Sequence, residues 1–200
     1  MPYDYSNAPA PRGDFEPIPA GTIAIVSLHI RAGNAGEDGL LTRSQDGGCE
    51  MLTVELTVVD GTYKGRKIWE RWILVGTTPG HAQAADISRG TLKAILDATR
   101  ALKPDDMSDA ARAARTVELK DFEGATFMVK LGVEKGKPKL DSSNQPTGES
   151  WPDKNNIAAV IVRGMADWKA VEQPPPFDGA PQAGNSGGAS SAVVQRPDWA

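Results

Sequence analysis

The sequence is poor in the residues from which most catalytic and metal sites are built. Among 200 residues it has one cysteine and two histidines. Because Cys49 has no partner, an intrachain disulfide is excluded and an oxidising compartment is not implied. His29 and His81 lie far apart in the chain and fit neither zinc-ligand nor nucleophile spacing. We therefore expect no enzymatic activity, no metal and no cofactor.

Long apolar runs are also missing. No stretch approaches the length of a transmembrane helix, and no basic segment followed by an apolar run stands at the N-terminus. A cytoplasmic protein with no membrane partner is therefore expected. The net charge of -4 argues against a protein that is basic throughout, but the charge is unevenly distributed. Residues 60–75 carry four cations and two acids, and residues 130–139 carry four cations and one acid.

Composition divides the chain into three parts. Residues 1–19 are rich in Pro, Gly and Ala and predict a flexible N-terminal arm. Residues 172–200 are Pro-rich, then Gly- and Ser-rich, and acidic, which predicts a disordered tail. The folded domain is expected to span residues 20–171.

Hydrophobic periodicity predicts five strands and one main helix in this domain. The helix is expected to begin at a cap, Asp86 or Ser88, and an Ala-rich second helical patch covers residues 108–115. A mainly β, five-stranded OB-fold barrel of order β-β-β-α-β-β, with flexible N- and C-terminal extensions, has this arrangement. The longest loops, 32–48 and 135–155, would then flank the ligand groove. The predicted strands are 22–31, 50–59, 66–75, 125–134 and 156–163.

The third predicted strand interleaves cations and aromatics. Alternation places Lys67, Trp69 and Arg71 on one side and Trp72 on the other, although a bulge would exchange the two sides. Either tryptophan could therefore face the groove. An aromatic side chain stacks on any base and neighbouring cations meet phosphates, which is how proteins hold single strands without reading their sequence.

The second long loop carries lysines on alternate residues and a tryptophan in polar surroundings. This pattern suits phosphate binding, but a solvated turn with Trp151 packed back on the barrel would also produce it. Arg31, Arg43 and Tyr63 are weaker candidates that ordinary surface positions explain as well. The predicted nucleic-acid-binding residues are Lys64, Arg66, Lys67, Trp69, Arg71, Lys130, Lys135, Lys137, Lys139, Trp151 and Lys154.

Several segments resemble a widespread phage and prophage family that was long catalogued as a domain of unknown function. Residues 60–69 resemble its G-x-Y-x-G-R-x-hydrophobic-aromatic strand, and the likeness continues in residues 89–96, 119–124 and 155–157. The long first loop and the Ala-rich patch depart from the family pattern. The resemblance implies an OB-fold single-stranded DNA-binding protein of a phage replication or recombination system, located in the bacterial host cytoplasm.

The predicted partner is therefore single-stranded DNA, bound without sequence specificity. The acidic tail, which ends in Asp198-Trp199-Ala200, could compete with DNA, contact phage replication or recombination proteins, or simply be disordered. Two other classes of function stay open: a structural or adaptor protein of a virion, and an OB module for a protein or sugar ligand. A steep salt dependence of DNA binding would distinguish a single-stranded DNA-binding protein from a virion protein.

Overall fold

The computed structural model describes residues 16–173, and predictions for residues 1–15 and 174–200 lie outside this part. Within it, no helix is both long and apolar enough to cross a membrane. The elements of the described part are β1 (Ile23–Ile30), β2 (Leu41–Arg43), β3 (Cys49–Val58), β4 (Lys67–Gly76), α1 (Pro79–Thr99), α2 (Asp109–Ala114), a 3-10 helix (Leu119–Phe122), β5 (Thr126–Glu134), β6 (Pro138–Leu140), β7 (Pro146–Ser150) and β8 (Lys154–Val160).

Five long strands form one antiparallel sheet in the order β4-β3-β1-β5-β8. The short β2 pairs with the first residues of β3 beside the end of β1. The prediction of a mainly β domain is confirmed, but the sheet does not close into a barrel. Among the described strands, β4 and β8 approach each other without pairing. A side chain bridges them instead, since Glu70 Oε1 accepts a hydrogen bond from the Ile157 backbone N–H at 2.8 Å.

The core lies between one side of the sheet and α1. The alternation predicted for β3 is confirmed, because Leu52, Val54, Leu56 and Val58 are all almost fully buried. Helix α1 closes this core with one apolar stripe, which includes the fully buried Ile95. The opposite side of β3 and β4 therefore faces outward.

Helix α1 begins at Pro79, earlier than predicted. Thr78 is the N-cap, and its hydroxyl accepts a hydrogen bond from the His81 N–H at 3.2 Å, with proline at the first helical position. The predicted cap Ser88 lies inside the helix and donates to the Ala84 carbonyl. The first turns consist mainly of proline, glycine and alanine and are mostly exposed, so they carry no apolar period by which the sequence could reveal them.

The two long loops and the domain ends contain more structure than predicted. Strand β2 lies in the first loop, and the β6–β7 hairpin lies in the second. Ile18, within the predicted flexible arm, is buried and exchanges two hydrogen bonds with the Asn155 amide, each 2.8 Å. At the other end, Gln173 pairs with both backbone polar groups of Thr126. The folded domain therefore begins before residue 20 and includes the first residues of the predicted tail.

Candidate nucleic-acid interface

The outward side of β4 presents the side chains that its alternation predicts. Lys67, Trp69 and Arg71 are exposed, whereas Ile68 and Trp72 are in the core. Trp69 is 57% exposed and Trp72 is 7% exposed. The register shift lies between Glu50 and Met51 of β3 and so does not interrupt this part of β4. Of the two tryptophans of this strand, Trp69 is therefore the one whose indole is accessible for stacking.

Cross-strand pairing places a row of β3 side chains beside these residues. Thr57 lies opposite Lys67, Glu55 opposite Trp69, and Thr53 opposite Arg71. The outward side chains of these three pairs are called the outer face below: Thr53, Glu55, Thr57, Lys67, Trp69 and Arg71.

Glu55 lies at the centre of the outer face and is 8% exposed. Its carboxylate accepts hydrogen bonds from Lys67 Nζ at 2.5 Å, Arg31 Nη1 at 3.2 Å and Trp69 Nε1 at 3.3 Å. The hydrogen bond from Lys67 holds the pKa of Glu55 below its usual value, and the nearby Lys67 and Arg31 charges act in the same direction. The carboxylate therefore stays ionised, and it fixes the orientation of the indole.

The second predicted group lies on the β6–β7 hairpin. Trp151 is 61% exposed, so it does not pack back on the sheet. Its backbone N–H donates to the Lys137 carbonyl at 2.9 Å, and Lys139 Nζ lies 5.3 Å from the centroid of its ring. This distance is within the range of a cation–π interaction. The hairpin thus holds a second exposed aromatic side chain next to a cation.

The base of the hairpin requires glycine at position 136. A Cβ atom at Gly136 would lie 1.5 Å from the Trp151 carbonyl oxygen. Only a residue without a side chain therefore allows the two strands of the hairpin to approach each other here.

A cleft of about 390 Å³ joins the start of β4 to the start of β8. Its lining includes Arg66, Lys67, Trp69 and Lys154, with Pro17 on the arm. The structure therefore brings Lys154 to the same cleft as Arg66, Lys67 and Trp69, which lie more than 80 positions earlier in the sequence.

Beside this cleft, Glu70 bridges the open seam between β4 and β8. Burial raises the pKa of Glu70 above its ordinary value, against the opposing effects of the hydrogen bond from Ile157 and the charge of Lys154. The carboxyl group stabilises the seam by accepting a backbone hydrogen bond. Its burial removes it partly from water, which disfavours its ionised form.

Many of the predicted cations have acidic partners. Among the described residues, Lys64, Arg71, Lys130 and Lys137 have no side-chain ion pair or hydrogen bond, and the Arg66 guanidinium donates to the Glu16 carbonyl at 2.7 Å. Three pairs lie at the surface: Lys135–Asp153 at 2.6 Å, Lys139–Glu149 at 2.9 Å and Lys154–Glu134 at 3.1 Å. Exposed pairs of this kind are worth about 0–1 kcal/mol each, so a phosphate group can replace the acid. The fourth pair, Lys67–Glu55 at 2.5 Å, differs because its carboxylate is largely buried.

The fold does not bring every predicted residue to one surface. Lys130 lies on β5, opposite Ile23 of β1, and β5 is two strands away from β3. It therefore stands apart from the outer face. Glu55 was missed because nothing in a single strand shows which residues lie opposite it. Arg31, only a weak candidate by sequence, gains interest because it contacts Glu55.

Comparison with known proteins gives one finding. A family model described as protein of unknown function (DUF669) matches residues 4–139, which is more than half of the chain. The match includes three of the four segments quoted above, at residues 60–69, 89–96 and 119–124. No curated protein and no solved structure matches the chain.

Proposed function

The chain belongs to the DUF669 family, whose description names no activity, and from the chain's own surface we propose that it binds single-stranded DNA without reading its sequence. One observation carries the proposal above the others. The exposed Trp69 lies on an outward strand between Lys67 and Arg71. Its indole supplies a stacking surface for any base, and the two cations supply contacts for the phosphates on either side.

The fold supports the same proposal. The five long strands, with one helix between the third and the fourth, fit an OB-fold that stays open between its third and fifth strands. An OB-fold is a partly open five-stranded barrel whose second and third strands, with the first and fourth connecting loops, bind oligonucleotides. In this chain those elements are β3, β4, the loop that carries β2 and the loop that carries the β6–β7 hairpin.

The proposed path of a bound strand follows from these positions. It runs over the outer face at Trp69, passes the cleft beside Lys154, and reaches Trp151 on the hairpin. Phosphates replace the acids that are paired with the lysines along this path. The resemblance adds a setting, which is phage replication or recombination in a bacterial cytoplasm, and partner proteins that contact the tail.

The experiment is a titration of the full chain against a labelled oligo-dT and against duplex DNA, at about 50 and 200 mM salt. For single strands, log K falls by about 0.7 per phosphate contact for each tenfold rise in salt. With three or four contacts, affinity should fall about 20- to 50-fold between these concentrations. Tighter binding to the single strand than to the duplex is expected, because only unpaired bases can stack. Absence of binding at low salt would refute the proposal, and salt-independent binding would favour a virion adaptor.

A further inference from the structure

The surroundings of Glu55 resemble an occupied anion site. A concavity of about 520 Å³ on the outward side of β1 and β3 is lined by His29, Arg31, Ala32, Glu55 and Lys67. At its edge the Glu55 carboxylate receives donors from two cations and one indole. Carboxylate and phosphate accept charge-assisted hydrogen bonds from Lys and Arg in the same way. The protein's own acid thus occupies the position where a phosphate would be expected beside a stacked base.

The exposure of the partners differs. The Glu55 side chain is 11% exposed, whereas the Lys67 side chain is 48% exposed and the Arg31 side chain is 55% exposed. Both cations can therefore turn toward solvent without disturbing the core, while the carboxylate is held between β1 and β4. An incoming anion can take the cations away, but it cannot displace the acid from the sheet.

We propose that Glu55 is a positioning residue that stands in for a phosphate of the bound strand. On binding, one phosphate takes Lys67 and Arg31 from Glu55, and the neighbouring base stacks on Trp69. This inference rests on the proposed function and adds two residues, Arg31 and Glu55, to the interface. In the free protein, Glu55 holds the indole and both cations in position. Its negative charge also weakens the attraction of the two cations for polyanions.

The test compares Glu55→Gln with a matched variant, Glu118→Gln, in the full-length chain. Each substitution removes one negative charge from an ion pair, but Glu118 pairs with Lys120 beside the 3-10 helix, away from the outer face. The probe is labelled oligo-dT, titrated at four salt concentrations. A neutral amide holds the two cations more weakly than a carboxylate does, so in Glu55→Gln a phosphate can take them without breaking their ion pairs with a carboxylate.

The expected result is that Glu55→Gln binds oligo-dT severalfold more tightly than the wild-type protein at each salt concentration. The slope of log K against log salt should keep the wild-type value, because the same two cations contact phosphate in both complexes. Glu118→Gln should keep the wild-type affinity. Equal affinities for the two variants would overturn the inference while leaving the proposed function intact. Absence of binding by the wild-type protein would overturn both.

A second pair of variants covers the case in which Glu55→Gln does not fold. Lys67→Gln and Arg31→Gln each remove one cation from the partly exposed side of the cluster. If a phosphate takes both cations, each variant should reduce the steepness of the salt slope by about 0.7. Unchanged slopes in both folded variants would show that phosphate does not replace Glu55, and the inference would be wrong.

Discussion

Substitution of Trp69 by alanine tests the most specific feature of the proposed interface. Stacking on one aromatic side chain is worth about 1–3 kcal/mol per base, which corresponds to about a 5- to 140-fold change in dissociation constant. Trp69→Ala should therefore weaken oligo-dT binding by that factor. The salt slope should change little, because the substitution removes no cation.

The structure indicates that this loss can be measured on a folded protein. Trp69 is 57% exposed, and its one hydrogen bond, to Glu55, is long at 3.3 Å. Glu55 keeps its contacts with Lys67 and Arg31 in the variant. Exposed substitutions of this kind change stability by about 0.5 kcal/mol or somewhat more. The thermal unfolding midpoint should therefore stay close to that of the wild-type protein.

The assay is fluorescence anisotropy of a labelled oligo-dT at one fixed salt concentration, with two control variants. Trp69→Phe keeps an aromatic ring but loses the N–H donor, so most of the affinity should remain. Val75→Ala shortens another exposed apolar side chain of β4, 54% exposed, and should bind as the wild-type protein does. If Trp69→Ala is folded and binds with wild-type affinity, base stacking on β4 is refuted.

Three further substitutions test other parts of the structure. Asp97→Asn removes the buried partner of Arg115, 2.7 Å away, and should reduce the free energy of unfolding in urea by about 2–4 kcal/mol. Glu70→Gln should stabilise the protein at neutral pH: burial raises the pKa of Glu70, so the native state loses stability as pH rises through that raised value. In thermal melts, the difference in unfolding midpoint between Glu70→Gln and the wild-type protein should disappear near pH 4. A difference that does not change with pH would contradict a raised pKa of Glu70. Gly136→Ala forces the Trp151 carbonyl away and should weaken oligo-dT binding and lower the midpoint, whereas wild-type values would show that the hairpin base tolerates a side chain.

The strands were predictable because burial on one side produces a period of two. In β3, the buried residues Leu52, Val54, Leu56 and Val58 alternate with polar ones, and the predicted range differs from the observed one by one residue at each end. The same argument assigned Trp69 and Trp72 of β4 to opposite sides. These are local properties, which a single strand carries in its own sequence.

The missed elements lack that local signal. Strands β6 and β7 pair only with each other and are almost entirely exposed, so neither face is apolar and no alternation marks them. The start of α1 is mostly exposed and consists mainly of proline, glycine and alanine, so it carries no apolar stripe either. The contacts of Glu55 depend on strand register and on the end of β1, neither of which the sequence of β3 contains.

The ion pairs on the proposed path explain how a chain with a net charge of -4 could bind an anionic polymer. Lys67, Lys135, Lys139 and Lys154 each have an acidic partner, so the free surface attracts polyanions weakly. Replacing an acid by a phosphate exchanges one ion pair for another and gains little energy. In the proposed binding mode, selectivity for single strands comes from the bases, through stacking on Trp69 and Trp151. Duplex DNA, whose bases are already stacked, has no comparable gain to offset the broken pairs.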